Sequence, residues 1–335
     1  MSILNTILYP NYFNNKNILI TGGTGTLGNI LVEYFLTKSN CNRICIFSRD
    51  EFKQHQMKIK FKDYKNKDKL RFFIGDIRDY SRIEYACTDI NIVFHAAALK
   101  QVDSIEYNPM EAIKTNVLGT QNVVMACINK NVEQLIGVST DKCVAPVNLY
   151  GATKLCLEKL IISGRKYSAN KLNSCVLRYG IVIGSRGSVV PIFKNQINEG
   201  RFTVTDKRMT RFTLTIQEAA NFILNCTTIA KGGEIFIPKL PKYTLPQLCN
   251  ILNPNNEIIE IGLRSGEKLH ECMIAEAESL NTWESNDFYI IKNNYELNND
   301  TIKKFNFKKS NEIFNYSSEN ADLIKDEQLI NQISQ

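Results

Sequence analysis

The sequence predicts an α/β protein built on a doubly wound parallel sheet, with a smaller C-terminal lobe. Short, continuously apolar runs alternate with amphipathic segments as far as Gly180. This pattern is typical of parallel strands that are covered by helices on both faces. A glycine-rich turn joins the first apolar run to the first amphipathic segment. After Gly180 the apolar runs shorten and most of the prolines occur, which favours a second, less regular unit.

The predicted elements follow this alternation in order. Each strand is an apolar run, and each helix repeats its apolar residues every three or four positions. The predicted strands are residues 17–21, 43–48, 70–76, 90–98, 133–140 and 173–180, and the predicted helices are residues 27–38, 50–62, 79–88, 109–130, 148–165 and 215–230. We expect residues 1–180 to form the first domain, with 211–231 packing back on it, and residues 181–210 and 232–335 to form the smaller lobe.

Composition and charge narrow the class of protein. The chain has 335 residues, a net charge of +7 and 44% hydrophobic residues, which is ordinary for a globular protein. The densest basic stretch, residues 58–69, also holds aspartates, so we expect no nucleic-acid partner. The sequence contains no apolar run of about 18 residues and no signal-peptide pattern, so we expect no membrane partner. Ten cysteines without a CxxC pair favour a reduced, cytoplasmic protein with no metal site.

A dinucleotide site is predicted at the turn between the first strand and the first helix. The turn reads ITGGTGTLG, with glycines at 22, 25 and 28. Glycines at this spacing let the backbone approach a pyrophosphate that rests on the helix N-terminus. The turn residues expected to bind the cofactor are Gly22, Thr24, Gly25, Thr26, Leu27 and Gly28.

The following strand ends indicate which cofactor binds. NAD sites usually place an acidic residue after the second strand. This chain has Ser48 and Arg49 there, and a hydroxyl and a guanidinium suit a 2′-phosphate. The sequence therefore favours NADP, although Asp50 follows at once. The next two strand ends complete the expected cofactor site with Asp76, Ile77, Ala96, Ala97 and Ala98.

Tyr150 and Lys154 are the first candidate catalytic pair. They lie four residues apart in NLYGATKL, a predicted helix, and therefore share one helix face. A lysine ammonium beside a phenol lowers the pKa of the phenol. The phenolate can then take a proton from a substrate hydroxyl while a hydride leaves the same carbon for the nicotinamide.

The STDK stretch supplies a second candidate pair at the end of the fifth strand. Thr140, Asp141 and Lys142 should face the pocket, because ligands bind at the carboxyl ends of such strands. The alternative to a catalytic role is that Asp141 and Lys142 form an ordinary turn on the protein surface. A dehydrogenase or epimerase has no need of this pair, whereas elimination of water needs an acid and a base. We expect Asp141 to be the acid and Lys142 the base, with a Lys142 pKa that burial near Lys154 lowers toward neutrality.

These motifs together resemble those of extended short-chain dehydrogenases that act as inverting UDP-N-acetylglucosamine 4,6-dehydratases. The likeness runs from about residue 16 to residue 275. Related enzymes that act without inversion have Thr-Asp-Glu where this chain has Thr-Asp-Lys. The motifs are ILITGGTGTLG, FSRDE, RFFIGDIRD, HAAALKQV, STDKCVAPVNLYGATKL, RYG, GSRGSVVP, TDKRMTRF and GLRSGEKLHE.

The resemblance implies a Rossmann fold, NADP, and a reaction with no net oxidation. Tyr150 and Lys154 would oxidise C4 of the sugar, and the hydride would later return to C6. Between these steps Lys142 would remove the C5 proton while Asp141 assists loss of the C6 hydroxyl. Protonation of C5 on the opposite face gives the L-arabino 4-keto-6-deoxy sugar. Family members also form homo-oligomers, so we expect a dimer or a hexamer.

The same resemblance assigns further residues. Thr140 would hold the C4 oxygen, and Lys100 and Asn116 would lie near the nicotinamide. Two positions depart from the family pattern: Ile181 replaces an asparagine near the diphosphate, and Ser265 replaces a proline. The residues expected to bind the UDP-sugar are Lys100, Tyr179, Val189, Thr205, Arg208, Met209, Arg211, Arg264 and Glu267.

Two other functions stay open on the sequence. A UDP-sugar 4-epimerase would use Tyr150 and Lys154 but would not need Lys142. A non-catalytic NADP-sensing protein would have little reason to keep both Tyr150 and Lys154.

Overall fold

The computed structural model describes residues 3–184, 189–292, 297 and 299–334. The strands in this part of the chain are β1 (Asn17–Thr21), β2 (Arg43–Ser48), β3 (Leu70–Ile74), β4 (Ile92–His95), β5 (Gln134–Val138), β6 (Asn173–Leu177), β7 (Ile181–Val182), β8 (Arg201–Val204), β9 (Thr210–Leu214), β10 (Glu234–Pro238), β11 (Lys242–Thr244), β12 (Glu257–Glu260), β13 (Cys272–Ile274), β14 (Thr282–Glu284), β15 (Phe288–Lys292), β16 (Lys308–Lys309) and β17 (Tyr316–Ser317).

The α-helices of the same residues lie between these strands and at the C-terminal end. They are α1 (Thr26–Lys38), α2 (Glu51–Lys60), α3 (Tyr80–Ala86), α4 (Val102–Tyr107), α5 (Pro109–Ala112), α6 (Gly119–Asn129), α7 (Leu149–Tyr167), α8 (Val189–Gln196), α9 (Ile216–Ile229), α10 (Leu245–Leu252), α11 (Glu276–Ser279), α12 (Asn299–Phe305) and α13 (Asp326–Ser334).

The main sheet has ten strands in the order β16-β14-β15-β10-β6-β5-β4-β1-β2-β3. The strands from β3 to β10 run parallel, and β15, β14 and β16 extend the sheet antiparallel. The order 3-2-1-4-5-6 is that of a Rossmann fold. The prediction of a doubly wound α/β fold is therefore confirmed.

The predicted strands and helices of the first 180 residues are present, with ends that differ by up to three residues and with one helix interrupted. The strand predicted over 90–98 ends at His95, because the chain leaves the sheet there and forms the rim of a cavity. The helix predicted over 109–130 is interrupted by a π-helical turn, Ile113–Leu118, between α5 and α6. Such turns distort a helix locally and are frequent at functional sites.

The predicted boundary of the smaller lobe is wrong in its second part. Residues 232–335 do not form one lobe, because β10, β14, β15 and β16 belong to the main sheet. Phe288, Ile290 and Ile291 are fully buried in the main core. These strands are short and are flanked by polar, Asn-rich loops, so the sequence pattern does not predict that they belong to the main sheet.

A second, smaller core forms the separate unit that the sequence predicts. It contains Phe193 of α8, Phe202 of β8, Met209 of the loop before β9 and Tyr243 of β11. The helix α9 packs against α1, as expected for residues 211–231, but β9 pairs with β7 and β11 in a three-stranded sheet. The two units meet at the carboxyl ends of the parallel strands.

Candidate active site

A cavity of about 610 Å³ lies where the two units meet. The glycine-rich turn, the ends of β4 and β5 and the first turns of α7 form one wall. The loop 264–268 and the residue before β13 close the other side. All of the predicted catalytic residues and several of the predicted ligand-binding residues line this cavity: Gly22, Thr26, Leu27, Gly28, Ala96, Ala98, Lys100, Thr140, Asp141, Lys142, Tyr150, Lys154, Tyr179, Arg211, Arg264 and Glu267.

The glycine-rich turn fits a dinucleotide pyrophosphate. Gly22 has a φ of +67°, and a Cβ at this position would lie 2.8 Å from the Ala97 nitrogen. The backbone can therefore pass close to the end of β4 because residue 22 has no side chain. The helix α1 starts after Gly25 without a side-chain cap, so its first N–H groups stay available for an anion.

The predicted adenosine end lies outside the cavity, at the ends of β2 and β3. Arg49 is exposed and its guanidinium lies 3.4 Å from Asp76, which also binds Arg78 at 2.7 Å. Asp50 caps α2 by accepting a hydrogen bond from the Lys53 N–H at 2.9 Å. This use of Asp50 explains why an acidic residue can follow Arg49 without serving as the ribose ligand.

Three residues behind this end have structural contacts. Ser48 is buried, and its hydroxyl accepts a hydrogen bond from Gln54 at 3.2 Å. Ile77 is also buried and packs on Gly119 of α6, so its side chain does not face the cavity. Thr24 accepts a hydrogen bond from Asn29 at its carbonyl, which stabilises the turn.

Asn116, which is predicted to lie near the nicotinamide, braces the cavity wall. Its side chain is fully buried in the π-helical turn. The amide oxygen accepts from the Leu99 N–H at 2.8 Å, and the amide nitrogen donates to the Leu99 carbonyl and to Thr153 at 2.9 and 3.0 Å. Asn116 thus ties the loop after β4 to α7.

His95 is a fully buried residue beside the cavity wall to which the sequence reasoning gave no role. Its ring nitrogens lie 2.8 Å from the Thr21 hydroxyl and 3.0 Å from the Thr120 hydroxyl. Complete burial lowers the pKa of His95 to about 3, so the imidazole stays neutral. The histidine links β1, β4 and α6 directly behind the alanines of the cavity wall. In the sequence this histidine stands directly before the three alanines that are predicted to bind the cofactor.

Tyr150 and Lys154 lie on the cavity side of α7, as predicted, but their ionisation differs from the expectation. Burial raises the pKa of Tyr150 to about 12, although the nearby Lys142 charge opposes the rise. Lys154 donates from its Nζ to the Val138 carbonyl at 2.8 Å, and burial lowers its pKa to about 8. The expected lowering of the Tyr150 pKa by Lys154 is not seen, because burial outweighs the nearby positive charge, which comes from Lys142.

The start of α7 is built so that the two candidate pairs meet. Asn148 caps the helix by accepting from the Gly151 N–H at 2.8 Å, and its amide donates to the Gly266 carbonyl at 2.9 Å. A Cβ at Gly151 would overlap the Lys142 carbonyl oxygen. Glycine at position 151 therefore lets α7 pack directly on the STDK turn.

Asp141 is a fully buried carboxyl group at the cavity floor. Its Oδ1 accepts from the Thr140 hydroxyl at 3.0 Å and from Lys142 Nζ at 3.1 Å. Its Oδ2 is buried and has no hydrogen-bond partner among the described residues. Burial raises the pKa of Asp141; the Lys142 charge opposes this rise and the Glu271 charge adds to it. A carboxyl group in this environment suits proton donation.

Lys142 does not have the lowered pKa that the sequence reasoning expected. Its Nζ lies 3.1 Å from Asp141 and 2.8 Å from Glu271. Burial acts to lower the pKa of Lys142, but the two carboxylates outweigh burial and raise the pKa above its ordinary value. Glu271 was missed because it lies far along the chain, at the end of the GLRSGEKLHE motif.

The predicted substrate residues of the smaller unit divide into two groups. Arg211 lines the cavity and donates to the carbonyls of Thr210, Lys268 and Leu269. The Glu267 carboxylate accepts from the Arg264 N–H at 3.2 Å, and both residues lie on the loop that closes the cavity. Ser265 and Ile181, the two departures from the family pattern, also line the cavity.

The second group does not line the cavity. Arg208 points into solvent and pairs with Asp206 at 2.7 Å. Met209 is buried in the second core, and Thr205 donates its hydroxyl to the Met209 sulfur at 3.0 Å. Val189 begins α8 and packs against the same core, while residues 185–188 of the GSRGSVVP motif lie outside the described residues. For Met209 and Val189 the structure thus gives a packing position where the sequence suggested substrate contact.

A buried ion-pair network supports the catalytic turn from behind. Arg178 binds Glu158 at 2.7 Å and Glu278 at 2.9 Å, and the side chains of Arg178 and Glu158 are 1% exposed. Glu158 also accepts from the Cys143 thiol at 2.9 Å. Tyr150, Lys154 and Glu158 follow each other at four-residue intervals on α7, so the same helix face carries the catalytic and the supporting groups.

The sheet order, the glycine-rich turn and the Tyr–Lys helix define an extended short-chain dehydrogenase fold. The chain belongs to the family of polysaccharide biosynthesis proteins, whose model matches residues 18–293. Among the described residues, no helix is both long enough and apolar enough to cross a membrane.

Two curated relatives and one solved structure are informative. The chain is 45% identical over 320 residues to a Campylobacter jejuni protein named UDP-N-acetylglucosamine 4,6-dehydratase (inverting), covering 93% of this chain and 95% of that protein. It is 44% identical to a Rickettsia rickettsii protein named UDP-glucose 4-epimerase, covering 83% of each. The structure of Pen from Bacillus thuringiensis matches with a TM-score of 0.87 and 38% identity, over 96% of this chain and 98% of that one.

Proposed function

We propose that the protein is a UDP-N-acetylglucosamine 4,6-dehydratase that inverts C5. The observation that carries this proposal is the Asp141–Lys142 pair, in which a fully buried carboxyl group lies 3.1 Å from the lysine Nζ, in the same cavity as Tyr150. Hydride transfer alone needs only the tyrosine and its lysine, whereas elimination of water needs an additional acid and base. The name of the Campylobacter jejuni relative supports the same reaction.

The cofactor of this proposal is NADP. When bound, it accepts the hydride from C4 and returns it to C6. The N-terminus of α1 would hold the pyrophosphate, and Ala96 and Ala98 would leave space for the ribose and nicotinamide. Arg49 is exposed beside the expected 2′-position and carries the preference for the phosphate over a hydroxyl.

Tyr150 and Thr140 act on the C4 hydroxyl. Tyr150 takes the proton of this hydroxyl as C4 is oxidised. Because C4 remains a ketone in the product, this proton is not returned to the sugar oxygen, and it balances the proton that C5 gains when the hydride reaches C6. The Thr140 hydroxyl already interacts with Tyr150 and with Asp141, so it can hold the C4 oxygen between the two. The charges of Lys142 and of a bound nicotinamide both favour the phenolate, against the burial that raises the pKa of Tyr150 to about 12.

Asp141 and Lys142 perform the elimination. The C4 ketone acidifies the neighbouring C5–H, and Lys142 removes this proton. Asp141 protonates the C6 hydroxyl, which leaves as water; its raised pKa keeps the proton available. A proton added to the opposite face of C5 then gives the L-arabino 4-keto-6-deoxy product.

The smaller unit binds the UDP part of the substrate. Arg211 and Arg264 line the cavity on the side opposite the glycine-rich turn, and their guanidinium groups suit a diphosphate. Glu267 lies on the same loop and fixes the backbone at Arg264. Arg208 and Thr205 lie outside the cavity, so in this proposal they act only if the loop around them moves towards the substrate.

The second candidate function is a UDP-sugar 4-epimerase, because a relative at 44% identity carries that name. Such an enzyme would need Tyr150 and Lys154 and would leave the Asp141–Lys142 pair without chemistry. Burial of the ionisable Asp141 costs free energy that an epimerase would have no reason to meet. The dehydratase is therefore favoured.

Proton NMR of the protein with UDP-N-acetylglucosamine and NADP in deuterated water tests the proposal. We expect a new 6-methyl signal, deuterium at C5, and couplings of the L-arabino sugar. A D-xylo product would contradict the inversion, and conversion to UDP-N-acetylgalactosamine would establish the epimerase instead. Replacing NADP by NAD in the same experiment tests the cofactor preference. Sedimentation analysis tests the expected homo-oligomer.

A further inference from the structure

Three charged side chains meet at the floor of the cavity, and the proposed function uses only two of them. Lys142 Nζ lies between Asp141 Oδ1, at 3.1 Å, and Glu271 Oε1, at 2.8 Å. The Asp141 and Glu271 side chains are 1% and 4% exposed. A second buried carboxylate next to the catalytic lysine requires an explanation, because burying an extra charge is costly.

The contact creates a chemical difficulty for the elimination. A base that removes the C5 proton must first be neutral, and the Glu271 carboxylate, with Oε1 at 2.8 Å from Lys142 Nζ, stabilises the charged ammonium of Lys142. The ammonium proton must therefore move to a neighbouring group before the reaction. Asp141 is unsuited to accept it, because the same step needs Asp141 as an acid that still holds its own proton.

Glu271 has the geometry of a fixed proton acceptor. Its N–H donates to the Ser318 hydroxyl at 2.9 Å, and its carbonyl accepts from the Ser318 N–H at 2.7 Å. These bonds fix the backbone immediately before β13. The carboxylate oxygen Oε2 is buried and has no hydrogen-bond partner among the described residues, as is also true of Asp141 Oδ2.

We propose that Glu271 is a positioning residue for the elimination: it holds Lys142 beside Asp141 and takes the ammonium proton of Lys142. Lys142 then becomes the neutral base while Asp141 stays protonated. This inference rests on the proposed dehydratase function. It assigns a part in the chemistry to the C-terminal third of the chain, from which Glu271 reaches the floor of the cavity.

The protons balance through the step. At the start Asp141 and Lys142 each hold one transferable proton and Glu271 holds none. Transfer from Lys142 to Glu271 leaves a neutral amine, which takes the C5 proton while Asp141 gives its proton to the departing hydroxyl. Asp141 is then ionised, and Lys142 and Glu271 each hold a proton. Return of one proton through Lys142 to Asp141 restores the starting state.

Other charged and titratable groups around the three side chains set the balance. The Arg211 Nε lies 3.9 Å from Glu271 Oε1, and its charge, like that of Lys142, lowers the pKa of Glu271 against the effect of burial. Lys268 acts on Glu271 in the same direction. Tyr150 and Tyr243 also face Lys142, and its positive charge opposes the rise of their pKa values.

The test compares Glu271→Gln with Glu276→Gln, which removes an exposed carboxylate five positions further along the chain. In Glu271→Gln we expect C5 deuteration and methyl formation to fall about 100-fold or more, the usual contribution of acid–base catalysis. C4 oxidation, followed by the absorbance of reduced nicotinamide, should stay within about threefold of the original protein. Glu276→Gln should leave both steps unchanged.

The pH profile supplies a readout that a purely structural role would not change. Glu271 adds to the raised pKa of Asp141. In Glu271→Gln the pKa of Asp141 should therefore fall, and the alkaline decline of the residual methyl formation should move to lower pH. Thermal melting and NADP titration of the same variant report whether the fold and the cofactor site are intact.

Two results would overturn the proposal. One is methyl formation by Glu271→Gln within about threefold of the original protein. The other is an equal loss of C4 oxidation and methyl formation in a folded variant. If Glu271→Gln does not fold, Glu271→Asp takes its place with the same two readouts, and a selective loss of C5 deuteration supports the proposal. Failure of the original protein to form a methyl group would instead refute the dehydratase function itself.

Discussion

The two ends of the cavity are built on different physical principles. At the cofactor end, the site consists of backbone donors and small side chains that follow one another along β1, α1 and β4. At the floor, it consists of buried charges, and Lys142 takes one of its partners from far along the chain. Short stretches of sequence thus determine where the cofactor-end residues lie, whereas the protonation of the floor residues depends on contacts between distant segments of the chain.

The two ends of the cavity also differ in whether their charges can change. The partial charges of a helix N-terminus are fixed and do not titrate. The charges of Asp141, Lys142 and Glu271 depend on each other, so removal of one changes the other two. Substitutions at the floor should therefore have larger and more selective effects than substitutions at the cofactor end.

The largest effect is expected for Lys142→Ala. Methyl formation should fall about 1,000-fold or more, because the base of the elimination is lost. C4 oxidation should continue, since Tyr150 and Lys154 are retained. Product NMR and nicotinamide absorbance measure the two steps. An equal loss of both steps would show that hydride transfer and elimination are not separate functions of the two pairs.

The next effect concerns stability. Arg178→Met should lower the free energy of unfolding by about 3 kcal/mol or more, because Glu158 would remain buried without its partner. Chemical denaturation measures this change. The matched control is the double variant Glu158→Gln/Arg178→Met, which removes both charges and should recover much of the loss. No recovery would mean that packing, not the ion pair, makes Arg178 important.

Tyr150→Phe should lower both C4 oxidation and methyl formation about 100-fold, because the hydride step precedes the elimination. This parallel loss contrasts with the selective loss in Lys142→Ala. Nicotinamide absorbance and product NMR are again the measurements. If Tyr150→Phe retained C4 oxidation, a group other than Tyr150 would have to accept the proton of the C4 hydroxyl.

At the cofactor end, Arg49→Ser should raise the KM for NADP about tenfold, the loss expected for one charge-assisted contact. The KM for NAD should not rise, since NAD lacks the 2′-phosphate. Lys53→Ser is the control, because Lys53 lies on α2 close by and pairs with Asp50. Equal effects of Arg49→Ser on both cofactors would remove the basis for the NADP preference.

The smallest effect is a gain in stability for Asp141→Asn. The pKa of Asp141 is raised in the fold, so ionisation of this group costs folding free energy. The cost is absent below the ordinary carboxyl range and grows as the pH rises through the raised pKa. Asp141→Asn should therefore be more stable than the original protein near pH 8 and no more stable near pH 4. Chemical denaturation of both proteins near pH 8 and near pH 4 measures this difference in stability. A variant that is more stable only near pH 4 would contradict the prediction.

Much of this molecule could be predicted from its sequence, for a physical reason. The parallel strands of the first 180 residues are apolar runs, and the carboxyl ends of such strands lie along one sheet edge, which brings Gly22, Ala96 and Asp141 together. The YxxxK spacing likewise places Tyr150 and Lys154 on one helix face. The fold and the general position of the site follow from these local rules.

The parts that could not be predicted depend on long-range contacts. The pKa of Lys142 is raised by the adjacent Asp141 and also by the distant Glu271, and the support of the STDK turn involves the Arg178–Glu158 pair. The extension of the main sheet by β10 and β15 also joins segments that sit among polar loops. Sequence patterns report local periodicity, and they carry no information on which distant charge faces a given lysine.

The central claim is that one cavity carries a hydride from C4 to C6 of the same sugar while a separate acid–base group removes water. The most direct measurement uses UDP-N-acetylglucosamine with deuterium at C4 and follows the product by NMR in ordinary water. The account predicts a methyl group that carries this deuterium. A methyl group without deuterium, or deuterium that remains at C4 of an epimerised sugar, would contradict it.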